Sequence, residues 1–314
     1  MTITIGALQL KSKFILSPLE EVSDVGFRHL CYANGAAFTW TEMIRASGIV
    51  RRNKATLDLI DTYDPQTPTG IQLFVVNERE LSVALYQLEQ LANSSLPHLK
   101  NITAVDLNFG CPSPEVIRIG AGPALLKRTN KMATIFKVLH DWRKRTTLDI
   151  GAVGAKIRLG LSQMEQDHKV YLRLMEAANA QLDYITVHAR HAKQRSSDQP
   201  SWNAIREVKE IATIPVIGNG NVTDQQSAER MFSQTKCDGI MLARAAIRNP
   251  WIFRGLTGGG STPSSIEIDA AEQAYNQFAQ QFGTKQKYRD FHKENFARIR
   301  SGIETIIPKN SNLN

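Results

Sequence analysis

Cysteine is scarce in this sequence, which contains only Cys31, Cys111 and Cys237. Three scattered cysteines without a Cys-x-x-Cys spacing do not make a disulfide framework or a thiolate metal site, and no His, Asp or Glu cluster has ligand spacing. No run of about 18 apolar residues occurs, and the N-terminus lacks the charged-then-apolar pattern of a signal peptide. We therefore expect a cytoplasmic protein with no membrane span and no metal.

Acidic residues are outnumbered by basic ones. The 314 residues contain 38 Lys and Arg against 30 Asp and Glu, which gives a formal net charge of +8. This excess fits a polyanionic partner such as nucleic acid, held partly through its phosphates, although a merely basic enzyme has the same balance. Hydrophobic residues make up 42% of the chain, which allows one large buried core.

Short β-branched apolar runs alternate with longer helical patterns over most of the chain. Eight such runs, each followed by a helical pattern, indicate an α/β fold of the (β/α)8 TIM barrel type, with a doubly wound open sheet as the alternative. The predicted strands are Phe14–Leu19, Ala37–Met43, Gly70–Val76, Ile102–Phe109, Gly151–Arg158, Tyr184–Ala189, Pro215–Gly220 and Gly239–Ala243. The predicted helices include Glu78–Leu91, Lys131–Lys144, Met164–Ala178, Asn203–Ile211 and Asp224–Ser233.

The composition changes after residue 256. We predict a barrel over residues 1–256, a Gly/Ser/Pro-rich linker over 257–265 and a short helical region over 266–314. Helical patterns cover about Ile266–Phe282 and Lys285–Thr305 in this last region. Because cations alternate with Tyr288, Phe291 and Phe296 in the second pattern, we expect it to contact nucleic acid.

Functional side chains of such a barrel lie at the carboxyl ends of its strands. The fourth predicted strand ends in VDLNFGCP, which brings Asn108 and Cys111 to the barrel mouth. A cysteine at this position can act as an acid or a nucleophile, and a small buried cysteine is the alternative interpretation. Asn108 can donate and accept hydrogen bonds at once, which suits the imide edge of a uracil ring.

The fifth and sixth strands end in cationic residues. Lys156 and Arg158 share one face of the fifth strand, and a lysine in an apolar mouth is costly unless it meets an anion or an electron-rich ligand. Pairing of Lys156 with a core carboxylate such as Asp106 is the alternative. His188 and Arg190 end the sixth strand, where the histidine is either functional or structural.

The last two strands end in glycine-containing and cationic turns. Loops at this position commonly form the phosphate site of the fold. Gly218 and Gly220 allow backbone amides to approach an oxyanion. Asp224 can cap the next helix, whose positive end adds to the attraction. Together these turns predict a phosphate site.

These motifs give the chain a family resemblance: from about residue 13 to 255 it resembles the tRNA-dihydrouridine synthases. The matching blocks, in order, are SPLEEVSDVGFRHLCYANGA from Ser17 with TEM at Thr41–Met43, VDLNFGCPSPEVIRIGAGPALLK, AKIRLG, VHAR, and IPVIGNGNVTD with MLARAAIRNPWIF. The resemblance implies FMN as cofactor, NADPH as reductant and tRNA as partner. It further implies reduction of the C5–C6 double bond of uridine by hydride from reduced FMN, with Cys111 as the proton donor. We also expect a monomer.

The resemblance also implies roles for individual residues. Pro18, Leu19 and Gln72 are expected to contact the flavin, with Lys156 and His188 at its ring and the polar edge of that ring. The phosphate end falls to Asn219, Gly220, Asn221, Ala243 and Arg244. Substrate contacts fall to Asn108, Arg158 and Arg190.

The sequence departs from the family pattern at a few positions. Ser17-Pro18-Leu19, followed by Glu20 and Glu21, replaces the usual Ala-Pro-Met. His188-Ala189-Arg190-His191 replaces the usual His-Gly-Arg-Thr. The C-terminal helical region is also short. Two alternatives follow: an FMN barrel that acts on a small molecule, as dihydroorotate dehydrogenases do, and a catalytically silent RNA-binding relative.

Overall fold

The computed structural model of the protein describes residues 2–308. An eight-stranded parallel barrel forms its centre, with strand order β3-β10-β9-β8-β7-β6-β5-β4, and a two-stranded antiparallel hairpin precedes it. The strands are β1 (Ile3–Ile5), β2 (Leu8–Leu10), β3 (Phe14–Leu16), β4 (Thr39–Arg45), β5 (Thr69–Phe74), β6 (Ile102–Phe109), β7 (Ala152–Ile157), β8 (Tyr184–His188), β9 (Val216–Asn219) and β10 (Gly239–Leu242).

Helices surround the barrel and follow its strands. They are α1 (Val25–Ala33), α2 (Ala46–Val50), α3 (Lys54–Leu57), α4 (Glu78–Asn93), α5 (Pro114–Arg118), α6 (Thr129–Arg143), α7 (Gln163–Asp167), α8 (Met175–Gln181), α9 (Trp202–Ile211), α10 (Gln225–Thr235), α11 (Arg244–Arg248), α12 (Ile252–Leu256), α13 (Ser265–Gln281) and α14 (Gln286–Arg300). The predicted (β/α)8 barrel is therefore confirmed.

Backbone hydrogen bonds bring the first and second barrel strands together. The amide of Leu16 donates to the carbonyl of Phe38 at 3.0 Å, and the amide of Ala37 donates to the carbonyl of Phe14 at 2.8 Å. Strands such as β5 and β7 are buried along their whole length, because side chains fill the barrel inside and helices cover it outside. This two-sided burial explains why the strands are readable as continuous apolar runs.

The N-terminal hairpin β1–β2 is absent from our sequence predictions. Ile3, Ile5 and Leu10 join an apolar cluster with residues of the barrel interior, and the amide of Ala7 donates to the carbonyl of Gly151. Gly6, with φ of 55°, makes the turn, and a Cβ there would lie 2.4 Å from the same carbonyl. Three-residue strands carry too little periodicity to be detected in a sequence.

Two predicted helices have different limits in the structure. The predicted helix Met164–Ala178 is in fact two helices, α7 and α8, because Lys169 adopts a left-handed conformation with φ of 50° between them. The pattern Lys285–Thr305 ends earlier, at Arg300, where Gly302 has φ of 66°.

The C-terminal helices pack against the barrel on the side of α1. His292 of α14 stacks on Phe27 with ring centroids 4.8 Å apart, and its Nε2 lies 3.0 Å from Asp24 Oδ2. Tyr288 and Phe296 are only 4% and 3% exposed. These two rings are not open to a base, because Tyr288 contacts Glu42 of β4 and Phe296 packs against Tyr275 of α13.

Lys285, which precedes α14, and several cations of the helix itself have acidic partners. Lys285 lies 3.7 Å from Asp58, and Lys287 lies 3.2 Å from Glu21. Arg300 lies 2.7 Å from carboxylate oxygens of α13. These ion pairs reduce the positive charge that the sequence suggests for this helix. The division of the chain into barrel, linker and tRNA-binding region stays a prediction, and its residues 309–314 lie outside the described part.

The described part of the chain offers neither a membrane span nor a metal cluster. Between residues 2 and 308, no helix is both long and apolar enough to cross a bilayer. Within the same range, no three His, Cys, Asp or Glu side chains come together as a metal ion requires. The three cysteines are buried, separate thiols.

Candidate active site

A cavity of about 640 Å³ opens at the carboxyl ends of the barrel strands. This volume lies within the range of small-molecule and cofactor sites. Strand register sets neighbouring side chains at the same height: Asn108 pairs with Lys156, and His188 pairs with Asn219. The predicted site residues that line the cavity are Pro18, Gln72, Asn108, Cys111, Lys156, Arg158, His188, Arg190, Asn219, Gly220, Asn221, Ala243 and Arg244.

Leu19 is the predicted flavin-contacting residue that does not line the cavity. It is fully buried and belongs to the main apolar core. Its carbonyl accepts hydrogen bonds from the amides of Val22 and Ser23, which form a turn after Pro18. Its side chain therefore packs in the barrel wall, and its contact with the flavin stays a prediction.

Cys111 lies on the loop after β6, where its side chain is 5% exposed and lines the cavity. Burial, with a smaller contribution from the negative charge of Glu20, raises the pKa of its thiol to about 11 against the opposing effects of a Ser113 backbone hydrogen bond and nearby cations. At neutral pH the sulfur therefore keeps its proton. Such a thiol is suited to donate a proton and poorly suited to attack as a thiolate.

Asn108 holds the backbone of this loop. Its Oδ1 accepts hydrogen bonds from the amides of Gly110 and Cys111 at 2.9 Å and 2.8 Å. Its Nδ2 donates to Gln72 Oε1 at 2.7 Å. The acceptor side of Asn108 is therefore already engaged, and what it offers to a ligand is its second N–H. This narrows the predicted role of Asn108, which assumed that the amide could both donate and accept.

The hydrogen bonds continue from Gln72 into the barrel interior. Gln72 Nε2 donates to Asp106 Oδ2 at 2.7 Å, and Tyr184 Oη donates to Asp106 Oδ1 at 2.9 Å. Burial raises the pKa of the Asp106 carboxyl to about 7 even though both donors oppose this shift. Each oxygen of Asp106 thus has a partner other than Lys156.

Lys156 points into the cavity and donates to Asn219 Oδ1 at 3.2 Å. No hydrogen bond joins it to Asp106 in the described chain, so the alternative of a core ion pair is not realised. Burial, and next the positive charge of Arg158, lower the pKa of the Lys156 ammonium to about 7. An anion or an electron-rich ring beside Lys156 would restore its charge.

Arg158 connects two loops at the mouth. Its Nε donates to the carbonyl of Gly110 at 2.7 Å, and its Nη1 donates to the carbonyl of His191 at 3.3 Å. It is 6% exposed and still lines the cavity. Much of its hydrogen-bonding capacity therefore supports the Cys111 loop and the loop after β8.

Arg190 and Arg244 converge at the other side of the mouth. Both donate to Asn221 Oδ1 at 2.9 Å and both donate to the carbonyl of Ser196, at 3.0 Å and 3.2 Å. These acceptors are amide and carbonyl oxygens, so the two positive charges are not neutralised by them. An anionic group such as a phosphate fits this pair of guanidinium groups.

The surrounding backbone and charges agree with an anion site. Burial and the nearby arginines and lysine hold the pKa of His188 well below its usual range, so this imidazole is neutral. Gly220 has φ of 142° and Asn221 has φ of 57°, and a Cβ on Gly220 would lie 3.2 Å from Pro200. The turn therefore requires glycine, which permits close packing beside the two arginines.

Sequence reasoning missed some lining residues, among them Arg195, Ser196 and Arg248. Ser196 takes part through its carbonyl, which any residue type would supply, so no sequence signal identifies it. Arg248 follows Arg244 by one helical turn on α11, and that spacing could have indicated it.

Comparison with known proteins adds to this geometry. The dihydrouridine synthase family model matches residues 15–313. A probable tRNA-dihydrouridine synthase of Aquifex aeolicus is 35% identical over 246 residues, which are 78% of this chain and 72% of that protein. One from Mycobacterium tuberculosis is 31% identical over 306 residues, covering 92% and 75%. One from Treponema pallidum is 30% identical over 301 residues, covering 93% and 85%.

Solved structures support the fold. Morphinone reductase superposes with a TM-score of 0.58 at 11% identity, over 85% of this chain and 91% of that one. Histamine dehydrogenase from Rhizobium sp. 4-9 superposes with a TM-score of 0.60 at 12% identity, over 88% of this chain and 50% of that one. At such low identity the likeness concerns the barrel alone.

Proposed function

The chain belongs to the dihydrouridine synthase family, and we propose that it binds FMN, takes electrons from NADPH and reduces the C5–C6 double bond of uridine in tRNA. The observation that carries this proposal is a buried thiol and a pair of arginines in one cavity. Cys111 follows β6 and Arg244 follows β10, four strands away in the ring. Strands four apart in an eight-stranded barrel lie on opposite sides of its mouth.

The cationic side of the cavity suits the phosphate of FMN. Arg244 would hold the phosphate oxygens as predicted. Arg190, predicted as a substrate contact, would join it there because both donate to Asn221, and Gly220 would let the backbone approach. Lys156 would lie beside the isoalloxazine ring, where reduction adds negative charge. Bound reduced FMN supplies the hydride that uridine receives at C6.

Cys111 would complete the reduction by giving its proton to C5. Hydride at C6 and a proton at C5 together saturate the double bond, and the thiol leaves this step as a thiolate that takes up a proton from solvent. The raised pKa of Cys111 keeps the proton available at neutral pH. The second N–H of Asn108 would donate to a carbonyl oxygen of the base.

The target uridine must leave the RNA stack to reach this cavity. A base inside a helix cannot meet a flavin that lies within a barrel mouth, so the nucleotide must be extruded. Unstacking is cheapest in a loop, which favours unpaired tRNA positions. A tRNA substrate favours a cytoplasmic location; this and the monomeric state remain predictions.

The decisive experiment measures dihydrouridine in tRNA by nucleoside mass spectrometry. Cells that lack the chain should lose dihydrouridine at one or more positions, and wild-type protein should restore it. The Cys111→Ala variant should bind FMN and be reduced by NADPH but fail to restore the product. Cys237→Ala, which removes a buried thiol of the core, is the matched control and should restore it.

Two results would contradict the proposal. A purified protein that takes up no FMN would exclude flavin chemistry. Full turnover by Cys111→Ala would exclude the thiol as the proton donor, while leaving the flavin site intact.

A further inference from the structure

A continuous series of hydrogen bonds joins the barrel interior to the loop that carries Cys111. It runs from Asp106 through Gln72 and Asn108 to the backbone amides of Gly110 and Cys111, with donor–acceptor distances of 2.7 to 2.9 Å. Asp106 is 2% exposed and does not line the cavity. It therefore acts through its neighbours: by hydrogen bonds on Gln72 and Tyr184, and by its charge on Lys156.

The chemistry of the groups determines the direction of the series. Backbone N–H groups only donate, so Asn108 must turn Oδ1 toward Gly110 and Cys111 and Nδ2 toward Gln72. Gln72 must then present Oε1 to Asn108, which leaves its Nε2 facing downward. This nitrogen needs an acceptor, and the Oδ2 atom of Asp106 is the acceptor that meets it.

An apolar residue in place of Asp106 would remove that constraint. Gln72 Nε2 would then be buried without a partner, which is costly. The Gln72 amide could rotate so that Nε2 reaches another acceptor, but an N–H of Gln72 would then face the Nδ2 donor of Asn108. Asn108 could no longer hold the loop amides without leaving a polar atom unsatisfied.

The buried carboxyl of Asp106 is not explained by a contribution to stability alone. A buried carboxyl costs free energy unless hydrogen bonds compensate it, and an apolar residue of similar volume is often neutral or better. Its burial penalty shows in a pKa of about 7 despite two hydrogen-bond donors. Orientation of Gln72 and Asn108 is the benefit that an apolar residue cannot supply.

We infer that Asp106 is a positioning residue, which orients the amides of Gln72 and Asn108 and thereby holds the Cys111 thiol at the cavity. The inference rests on the proposed function only for the catalytic role of that thiol. Tyr184 supports the arrangement by occupying the second oxygen of Asp106.

The test compares two substitutions of Asp106 in the full-length protein. Asp106→Leu removes the acceptor. Asp106→Asn retains it, because the amide oxygen can accept from Gln72 while the amide nitrogen donates to the hydroxyl of Tyr184. Thr186→Val is the matched control: it removes a buried hydroxyl of the same strand as Tyr184, one that has no hydrogen-bond partner among residues 2–308.

Alkylation of each cysteine by iodoacetamide, followed by peptide mass spectrometry, reports the position of the thiol without any need for tRNA. In Asp106→Leu, we expect Cys111 to react about fivefold faster, the factor given by loss of roughly one hydrogen bond. Cys31 and Cys237 should stay as slow as in the wild type. Asp106→Asn and Thr186→Val should stay within about twofold of the wild type for Cys111.

Turnover supplies the second measurement. Asp106→Leu should lower kcat for tRNA about tenfold with little change in KM and in the rate of flavin reduction by NADPH, and Asp106→Asn should restore kcat. If Asp106→Leu does not fold, Gln72→Met interrupts the series one residue higher and should accelerate Cys111 alkylation in the same way.

An unchanged Cys111 alkylation rate in the folded variants would overturn the inference. Equal acceleration at all three cysteines would overturn it as well, since this indicates general loosening. Failure of the wild-type protein to form dihydrouridine would instead refute the proposed function, and the alkylation rates would still decide the role of Asp106.

Discussion

Replacement of Lys156 by methionine should lower the midpoint potential of the bound flavin. Methionine retains much of the side-chain volume and removes the charge. The environment lowers the pKa of Lys156 from 10.5 to about 7, mainly by burial. This shift corresponds to a penalty of about 5 kcal/mol on the charged form. Negative charge on a reduced flavin beside the ammonium should recover part of that penalty.

If roughly a third of the penalty is recovered, the reduced flavin gains about 1.5 kcal/mol from Lys156. For a two-electron couple this equals about 30 mV. The assay is equilibrium reduction of the bound flavin against a reference dye, in wild-type protein, in Lys156→Met and in the control Lys127→Met. Lys127 is a 56% exposed lysine that lies 3.8 Å from Glu165 and does not line the cavity.

The wild type and Lys127→Met should share one midpoint potential, and Lys156→Met should lie about 30 mV lower. A potential that stays the same or rises in Lys156→Met would refute the reasoning, provided that flavin is still bound. Such a result would mean that the ammonium interacts with Asn219 and solvent rather than with the charge of the ring.

Three further predictions concern the phosphate side and the C-terminal helices. Arg244→Gln should raise the Kd for FMN, measured by flavin fluorescence, about thirtyfold through loss of a charge-assisted hydrogen bond. The control Arg206→Gln, at an exposed arginine, should leave this Kd unchanged. A rise of less than about twofold for Arg244→Gln would show that Arg244 does not hold the phosphate. Tyr288→Phe should lower the free energy of unfolding in urea by about 1–2 kcal/mol, because the buried Tyr288 hydroxyl donates to Glu42, and equal stability would contradict that contact. Burial raises the pKa of the Glu42 carboxyl from 4.5 to about 7. Between these pH values the unfolded chain releases the proton before the folded one, so Glu42 lowers the free energy of unfolding as pH rises. Glu42→Gln should therefore gain about 2 kcal/mol relative to the wild type between pH 5 and pH 7, and parallel pH profiles in urea titrations would refute the assignment.

Local sequence patterns predicted many of the residues that line the cavity, because in a parallel barrel the position of a residue along the chain determines its position in space. Asn108, Lys156 and His188 each end an apolar run, and the parallel barrel brings all such ends to one mouth. Leu19 does not line this mouth, since a turn one residue past Pro18 directs its side chain into the core.

The C-terminal helices show the limit of pattern reading. Alternating cations and aromatic rings on α14 are compatible with an RNA surface and equally with a helix that packs on a protein. Burial of Tyr288 and the contact of His292 with Asp24 show that one face of α14 packs on the protein, and neither partner is near in sequence. The choice depends on what lies opposite the helix, which only the folded chain specifies.

By itself, the sequence determined the barrel, its strand ends, the thiol and the glycine turn, because these follow from residue type and from periodicity along the chain. Tertiary structure decided which polar groups remain available. It engaged the acceptor of Asn108, separated Lys156 from Asp106 and left Arg190 and Arg244 facing one another. The physical reason is that hydrogen bonds and charges are satisfied between residues far apart in the chain, so what is left over for a ligand is a property of the whole fold.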